Sequence, residues 1–297
     1  MKRCYADRNF REESLRLIDK MNTIVDEYLD QGFRLTVRQL YYQLVARDVI
    51  ANTVLEYKRV ASIINDAKLA GLMDWDAMED RTREFLRCNR WSSGAEVLRA
   101  VAQQYHEDMW EGQSVRVFVV VEKEALSGVL DPVCRELDVP LLAARGYPSG
   151  SVLWEFTRDD LVPSADAGQD IVVLHLGDHD PSGVDMSRDL RERLLVFFTA
   201  DASGTFELIR IALNMPQIEE QRPPENPAKQ TDSRFAEYAR KFGDKSWELD
   251  ALKPEYLAKL IRRHVAKYIN KKVWDAKHTE IEGIKKRLEK VAVQFEK

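Results

Sequence analysis

The stretch IVVLHLGDHDPSG, residues 171–183, decides the fold of this chain. It begins with residues that are apolar apart from one histidine, which is typical of a strand buried on both faces of a parallel sheet. Asp178 and Asp180 follow, with a proline and a glycine close behind, as in a turn that leads into a helix. A strand, an acidic turn and a helix in this order predict one βα unit of an α/β domain.

The same alternation continues in both directions along the chain. Upstream, VRVFVVV (residues 115–121) predicts a strand that ends directly in Glu122, and VPLLAA (residues 139–144) predicts another. Downstream, FELIRIAL (residues 206–213) predicts a fourth strand. Helical stretches separate these strands, so we expect a mostly parallel sheet covered by helices on both faces. This α/β domain would span residues 113–297 and end in a basic helical extension.

Residues 1–112 have the pattern of a helical domain instead. Apolar residues recur at helical spacing over residues 10–29, and the capping-box patterns TVRQ and TVLE begin two more helices at Thr36 and Thr53. The short connection between the second and third helices is typical of a helix-turn-helix unit, and residues 73–91 supply a hairpin wing. The order predicts a winged-helix domain, with an ordinary three-helix bundle as the alternative.

Composition excludes several classes of protein. The 297 residues are 44 % hydrophobic and 32 % charged, which is the balance of a globular protein with a core. The longest apolar run, residues 117–121, is too short to cross a membrane, and the N-terminus does not resemble a secretory signal. The three cysteines lie far apart, which predicts neither a disulfide framework nor a structural zinc site. We therefore expect a cytoplasmic protein with no membrane partner.

Charge is distributed unevenly along the chain, although the net charge is only −5. Residues 101–252 carry 15 basic and 28 acidic side chains, whereas residues 253–297 carry 13 basic and 6 acidic ones. Concentrated carboxylates are one way to hold divalent cations, and a solvated acidic surface is the alternative.

Three carboxylates are the candidate metal ligands. Glu122 follows one predicted strand, and Asp178 and Asp180 follow another. Because ligands of parallel sheets bind outside the carboxyl ends of the strands, we expect these side chains to share one edge and to hold Mg²⁺, with Mn²⁺ as a substitute. No phosphate-binding glycine-rich loop occurs, so we expect this chain to bind no nucleotide.

The predicted helix VRQLYYQL, residues 37–44, supplies a second group. Its apolar stripe predicts that Tyr41 lies in the core and that Tyr42 is exposed on a different face, together with Arg38. An accessible tyrosine beside an arginine is suited to attack a phosphodiester, because the guanidinium neutralises phosphate charge and favours the phenolate. A surface tyrosine beside an ion-pairing arginine is the alternative.

Basic residues on the third helix and in the predicted wing are candidate contacts to DNA phosphates. They are Lys58, Arg59, Lys68, Arg81 and Arg83. Acidic residues interrupt both sets, and a solvated charged face is the alternative.

Taken together, these motifs resemble a known family. VFVVVEKEAL and LGDHDPSG resemble the Toprim domain of topoisomerases, primases and some nucleases. With RGYPS, RIALNMPQI and WELDAL, at residues 145–149, 210–218 and 247–252, the chain is similar to the A subunit of topoisomerase VI, a type IIB enzyme, and its meiotic double-strand-break relatives. TVRQLYY is similar to the tyrosine motif in their winged-helix domain. The chain is shorter than the usual A subunit, so it resembles a reduced, stand-alone A-type protein.

The resemblance implies a homodimer that clasps duplex DNA in the cytoplasm as a nucleoid-associated protein. Each Tyr42 would attack one strand and leave a 5′-phosphotyrosyl end, and the partner subunit's metal site would complete the centre. Glu122 would act as general acid and base, and Asp178 and Asp180 would hold Mg²⁺. Arg38 would steady the scissile phosphate. A separate ATPase subunit is an implied partner.

Two other functions remain open at this point. The first is a Toprim nuclease that hydrolyses DNA with metal-activated water, in which Tyr42 is structural. The second is a non-catalytic DNA-binding subunit that needs a partner for cleavage. Covalent attachment of the protein to 5′ ends distinguishes the tyrosine mechanism from both.

Overall fold

The structure, a computed structural model, describes residues 2–78 and 90–295. Its N-terminal helices are α1 (Glu12–Leu29), α2 (Val37–Ala46), α3 (Val54–Leu69) and α4 (Gly94–Gln104). The strands are β1 (Val115–Val121), β2 (Leu141–Ala143), β3 (Asp170–Leu176), β4 (Phe206–Ala212), β5 (Glu225–Pro227) and β6 (Lys245–Trp247). The remaining α-helices are α5 (Ser127–Glu136), α6 (Gly150–Phe156), α7 (Val162–Asp166), α8 (Pro181–Asp201), α9 (Met215–Gln221), α10 (Phe235–Phe242), α11 (Pro254–Val265) and α12 (Lys271–Gln294).

Four parallel strands form the central sheet in the order β2-β1-β3-β4. Alternate side chains of β1 enter different cores: Val119 and Val121 pack with α5 and α11, whereas Phe118 and Val120 pack with α6 and α8. Each such side chain, fully buried, contributes about 1.5–3 kcal/mol. The prediction of an α/β domain with a parallel sheet covered on both faces is confirmed.

The N-terminal helices α1, α2 and α3 enclose a second core. The capping box predicted for α2 is present: Thr36 Oγ1 accepts from the Gln39 N–H at 3.2 Å, and Gln39 Oε1 accepts from the Thr36 N–H at 2.8 Å. Thr53 likewise caps α3, because its side chain accepts from the Glu56 N–H at 3.2 Å. Local polar signals therefore set both helix starts.

The predicted wing falls largely on residues 79–89, which lie outside the described part of the chain, as do its candidate DNA contacts Arg81 and Arg83. After this stretch, α4 packs along α12. Trp110 belongs to the core of the sheet, and its Nε1 donates to the Leu137 carbonyl at 3.0 Å. Residues before the predicted boundary at 112 thus pack on the C-terminal part, and the boundary itself stays a prediction.

A small two-stranded sheet lies between the acidic turn after β3 and the N-terminal helices. The proline-rich stretch RPPENPAKQTDSR, residues 222–234, contains β5, which pairs antiparallel with β6. Trp247 at the end of β6 also pairs with His179, through N···O distances of 2.8 and 3.0 Å. The 3₁₀ turn that follows, Leu249–Ala251, packs against α2. Residues 247–251 therefore lie between the acidic turn after β3 and the helix that carries Tyr42.

The helices offer no candidate membrane span: across residues 2–78 and 90–295, none combines sufficient length with sufficient apolarity to cross a bilayer. The longest, α12, carries many lysines and glutamates.

Candidate active site

The carboxyl ends of β1 and β3 bring Glu122 and Asp178 together. Val121 is paired with Leu176, so the residues that follow the two strands leave the sheet side by side. The Glu122 carboxylate accepts a hydrogen bond from the Asp178 backbone N–H, with Oε2···N at 2.9 Å. Two of the three predicted metal ligands are thus neighbours at one edge of the sheet.

Asp180, the third predicted ligand, begins α8. Its Oδ1 accepts from the Gly183 N–H at 2.6 Å and from the Ser182 hydroxyl at 3.2 Å, so its carboxylate caps the helix. The turn is tight, because a Cβ added to Gly183 would lie 2.3 Å from the Asp178 carbonyl oxygen. Glycine is therefore required at position 183 for this close approach.

The Arg210 side chain, which comes from β4, fixes the acidic turn between β3 and α8. Its guanidinium donates to backbone carbonyls on both sides of the turn: those of Gly177 at 3.0 Å, Asp178 at 2.6 Å, Gly183 at 2.8 Å and Leu213 at 3.2 Å. Burial lowers the pKa of Arg210 to about 10, against the opposing effect of the nearby carboxylates. Arg210 is therefore a positioning residue that fixes the turn through its backbone.

The Lys123 ammonium lies where three carboxylates converge. Its Nζ is 3.0 Å from Asp178 Oδ2, 2.5 Å from Glu248 Oε2 and 3.1 Å from Asp250 Oδ1. The other Asp178 oxygen accepts from the Leu249 N–H at 2.8 Å. Within the described ranges no group of three or more His, Cys, Asp or Glu side chains is arranged to hold a metal ion. Lys123 supplies the positive charge at this point of the structure.

The acidic side chains differ in their electrostatics. Burial raises the pKa of Glu122, and the negative charge of Asp180 adds to this effect. Burial also raises the pKa of Asp178 to about 7, although Lys123 opposes it. For Glu248, burial acts in the same direction, but Lys123 and Arg38 outweigh it and lower the pKa to about 2. Glu248 is therefore the firmly ionised member of the cluster.

Arg38 links α2 to this cluster. Its Nε lies 3.0 Å from Asp250 Oδ2, and its guanidinium also donates to Glu248. On its other side the guanidinium carbon lies 5.8 Å from the centroid of the Tyr42 ring. Arg38 is thus an ion-pairing arginine, and it connects the tyrosine helix with the acidic edge of the sheet.

The expectation that Tyr42 is exposed is wrong. Tyr42 is only 5 % exposed, and Tyr41, expected to lie in the core, is equally buried at 4 %. The apolar periodicity of α2 predicts that one face of the helix is exposed to solvent. In the structure the 3₁₀ turn at residues 249–251 packs against α2 and contributes to the core of the N-terminal helices. Tyr42 is covered by a tertiary contact that periodicity does not reveal.

The environment of Tyr42 disfavours the phenolate in this arrangement. Burial raises the pKa of the phenol, and the negative charges of Glu248 and Asp250 raise it further. Arg38 and Lys123 act in the opposite direction and are outweighed. Arg38 does not activate Tyr42 here, because its charge is already shared with two carboxylates.

The three candidate DNA contacts within the described residues lie along α3 in different surroundings. Lys58 is exposed, Arg59 pairs with Glu56 at 2.8 Å, and Lys68 Nζ lies 5.6 Å from the Trp75 ring centroid. Their role in binding phosphates stays a prediction.

Four site residues were missed by reasoning from the sequence: Lys123, Arg210, Glu248 and Asp250. A signal existed for each. Arg210 is a charged residue in the middle of an apolar strand, where burial requires hydrogen-bond partners. Glu248 and Asp250 lie in WELDAL, which carries part of the family resemblance, and Lys123 follows directly after Glu122. Their partners, however, lie on distant segments.

Comparisons with known proteins do not place the chain in a family. No protein-family model matches it, and the comparisons with curated proteins and with solved structures found no significant match. The functional assignment therefore rests on the chemistry of the site residues.

Proposed function

We propose that this protein is a Mg²⁺-dependent DNA-cleaving enzyme, similar to the A subunit of topoisomerase VI, that uses Tyr42 as its nucleophile. One observation carries the proposal: the ion pair between Arg38 and Asp250, with 3.0 Å between Nε and Oδ2. It joins the helix that carries Tyr42 to the acidic edge that carries Glu122 and Asp178. The motifs that contain Tyr42 and Glu122, about eighty residues apart in the sequence, thus contribute to one region of the molecule.

We also propose that the N-terminal helices form a winged-helix domain and that the parallel sheet belongs to a Toprim domain. Helices α1 to α3 are compatible with a winged-helix domain in which α3 presents Lys58, Arg59 and Lys68 to DNA phosphates. The parallel sheet, with an acidic residue after β1 and two after β3, is compatible with a Toprim domain. DNA would contact both parts, because the tyrosine comes from one and the carboxylates from the other.

The donor set fits Mg²⁺ in its chemistry, since the ion prefers carboxylate oxygens and water. Asp178 and Asp180 would hold it, and the neighbouring Glu122, whose pKa is raised by burial, would remain available to carry a proton. When bound, Mg²⁺ supplies positive charge that stabilises the phosphate in the transition state. Lys123 already contacts Glu248 and Asp250, so it retains two partners if Asp178 turns away from it.

The chain's own residues would transfer the DNA phosphate from the 3′-oxygen to Tyr42. Tyr42 Oη loses its proton to water and forms a bond to phosphorus, the bond from phosphorus to the 3′-oxygen breaks, and Glu122 protonates that oxygen. The product is a 5′-phosphotyrosyl end and a free 3′-hydroxyl. Arg38 would have to exchange its carboxylate partners for the phosphate, because it pairs with Glu248 and Asp250 before DNA binds.

A hydrolytic Toprim nuclease is the second candidate, and the burial of Tyr42 favours it. A tyrosine that is 5 % exposed and has a raised pKa is a poor nucleophile without rearrangement. In that mechanism Asp178 and Asp180 would hold the metal ion that makes water a better nucleophile, the water would attack the phosphate, and Tyr42 would only pack in the core, so no protein would remain on the DNA.

The deciding experiment traps the reaction with denaturant. Supercoiled plasmid is incubated with the protein and Mg²⁺ or Mn²⁺, the reaction is stopped with detergent, and protein linked to 5′ ends is measured. We expect an adduct with the wild type and none with Tyr42→Phe. Tyr5→Phe, which removes the hydroxyl of an exposed tyrosine in the N-terminal segment, is the matched control and should retain the adduct.

Two outcomes would contradict the proposal. Cutting by Tyr42→Phe at the wild-type rate, with free ends, would establish hydrolysis. DNA binding without any cleavage in either metal would instead indicate a binding subunit that depends on a partner.

A further inference from the structure

A cavity of about 430 Å³ opens beside Tyr42, between α2, the start of α3 and β5. Three tyrosines, Tyr41, Tyr42 and Tyr57, form part of its wall, and Asn52 and Asn226 also line it. Aromatic walls with a few fixed polar groups are typical of sites for small organic ligands, which commonly measure about 300–1,000 Å³. The size and the lining are those of a binding site.

The three rings adjoin one another, and solvent reaches the wall at Tyr57, because Tyr41 and Tyr42 are only 4 % and 5 % exposed. The Tyr41 ring centroid lies 5.3 Å from that of Tyr42 and 5.4 Å from that of Tyr57, and both pairs meet edge to face. Tyr57 is 36 % exposed and Val54, next to it, is 73 % exposed. A flat ring can therefore reach this apolar wall from solvent.

The amide edge is held in place by hydrogen bonds. Asn52 Nδ2 donates to Asn226 Oδ1 at 2.7 Å, and Asn52 Oδ1 accepts from the Tyr41 hydroxyl at 3.0 Å. These bonds use the Asn52 amide within the protein, so the group offered to the edge of a nucleobase is the side-chain amide of Asn226. The polar groups thus complement a heteroaromatic ring better than a plain hydrocarbon.

The charges at the cavity favour a neutral ring over a phosphate. Arg38 and Glu248 line it together, and they are ion-paired, so the cavity offers no unbalanced positive charge. Tyr42 lines the same cavity. On the proposed function, a phosphate placed at the Tyr42 hydroxyl would have its neighbouring base within reach of this wall.

We propose that this cavity binds an unpaired nucleobase of the DNA strand, next to the phosphate that Tyr42 attacks. The inference rests on the proposed function for the position of the strand, whereas the aromatic and amide lining selects the base. Stacking on aromatic side chains accepts any base, so the cavity selects unpaired bases without reading a sequence. It would direct cleavage to places where the duplex is opened.

The first test is a photo-crosslink that does not depend on cleavage. Tyr42→Phe protein, which retains the ring but cannot form the adduct, is bound to a duplex with one unpaired 5-iodouracil, and the linked peptide is mapped after irradiation. We expect the link at Tyr57, the exposed ring of the wall. It should disappear in a second variant that also carries Tyr57→Leu and persist with Tyr5→Leu, an exposed tyrosine outside the cavity.

Binding affinity gives the second measurement. In the Tyr42→Phe background we expect a duplex with one unpaired base to bind about 5- to 100-fold more tightly than the fully paired duplex, the range that one stacked base contributes. Tyr57→Leu should remove this preference. Circular dichroism of each variant excludes misfolding as the cause.

The outcomes separate this inference from the proposed function. A link at Tyr57 without any wild-type adduct supports the base site and contradicts the tyrosine chemistry. A wild-type adduct with links only outside the cavity contradicts the base site and leaves the chemistry intact. Displacement of the crosslink by micromolar free thymidine monophosphate would also overturn the inference, because the cavity would then be a site for free nucleotides.

Discussion

At the scale of single residues, Lys123 is the clearest departure from a simple metal site. Its ammonium is 19 % exposed and lies between Asp178, Glu248 and Asp250, so it balances charge that would otherwise be buried without compensation. Removing one partner of a buried ion pair costs more than the pair itself contributes, because the remaining charges stay desolvated.

We therefore expect Lys123→Met to lower the free energy of unfolding by about 3–5 kcal/mol, measured by urea denaturation at neutral pH. Lys241→Met, which breaks an exposed pair with Glu237, is the control and should cost at most about 1 kcal/mol. Millimolar Mg²⁺ should restore more stability to Lys123→Met than to the wild type, because the ion competes with no ammonium there. Equal losses in the two variants would show that Lys123 is not a buried counter-ion.

Glu248 makes the stability of the site depend on acid. Lys123 and Arg38 hold its pKa at about 2 in the folded chain, below the ordinary 4.5, although burial opposes them. A carboxylate with a lowered pKa stabilises the fold fully above its unfolded pKa and loses that contribution as the pH falls towards the folded value. The loss should therefore occur between about pH 4.5 and pH 2.

The test compares urea unfolding of the wild type and Glu248→Gln across this range of pH. We expect the variant to be less stable at neutral pH and to lose less stability on acidification, because glutamine cannot be protonated in this range. Glu192→Gln, in an exposed pair with Arg188, should decline in parallel with the wild type. Parallel curves for Glu248→Gln as well would refute a special role for this ion pair.

At the scale of elements, the start of α8 decides the geometry of the acidic turn. Asp180 caps the helix, Arg210 holds the turn through its carbonyls, and Gly183 lets the backbone close on itself. Each of these is a local requirement, and together they fix where Asp178 lies.

Gly183→Ala should disturb this turn, because the added methyl group would lie 2.3 Å from the Asp178 carbonyl oxygen. We expect a loss of about 1–3 kcal/mol in urea unfolding and loss of DNA cleavage in the plasmid assay. Gly283→Ala, in α12 where a Cβ meets nothing within 4 Å, is the matched control and should gain up to about 1 kcal/mol. If Gly183→Ala left both the free energy of unfolding and DNA cleavage unchanged, the turn would have room to accept a methyl group.

At the scale of the whole molecule, the tyrosine and the predicted metal ligands are near one another but not in direct contact. Tyr42 touches Arg38 and Tyr41, and among the described residues no hydrogen bond or ring contact joins it to Glu122, Asp178 or Asp180. The family resemblance implies that a homodimer completes each centre, with the tyrosine of one subunit facing the carboxylates of the other, whereas the Arg38–Asp250 ion pair brings Tyr42 near the carboxylates of its own chain.

A mixing experiment tests this arrangement. Tyr42→Phe and Glu122→Gln proteins, each expected to be inactive, are co-assembled with different tags, and mixed dimers are isolated. We expect them to nick one strand of supercoiled plasmid, because one of their two centres combines an intact tyrosine with an intact glutamate. Absence of nicks in verified mixed dimers would place each centre within a single chain.

The sequence alone determined the four strands of the parallel sheet, the caps of α2 and α3, and the position of Glu122, Asp178 and Asp180 after two of those strands. These features follow from apolar periodicity and from side chains that cap their own helix, so neighbouring residues suffice to specify them. The adjacency of Glu122 and Asp178 then follows from one general property of parallel sheets, that the carboxyl ends of their strands share an edge.

Only the tertiary structure decided what surrounds these residues. The segment at residues 247–251 packs between the acidic turn and α2, and this contact buries Tyr42 and places Glu248 and Asp250 on Lys123 and Arg38. Burial and ion pairing of this kind depend on segments far apart in the chain that meet only when the whole molecule packs. The apolar periodicity of a helix depends on the sequence of that helix alone. It therefore could not show that a turn distant in the sequence covers the polar face of α2.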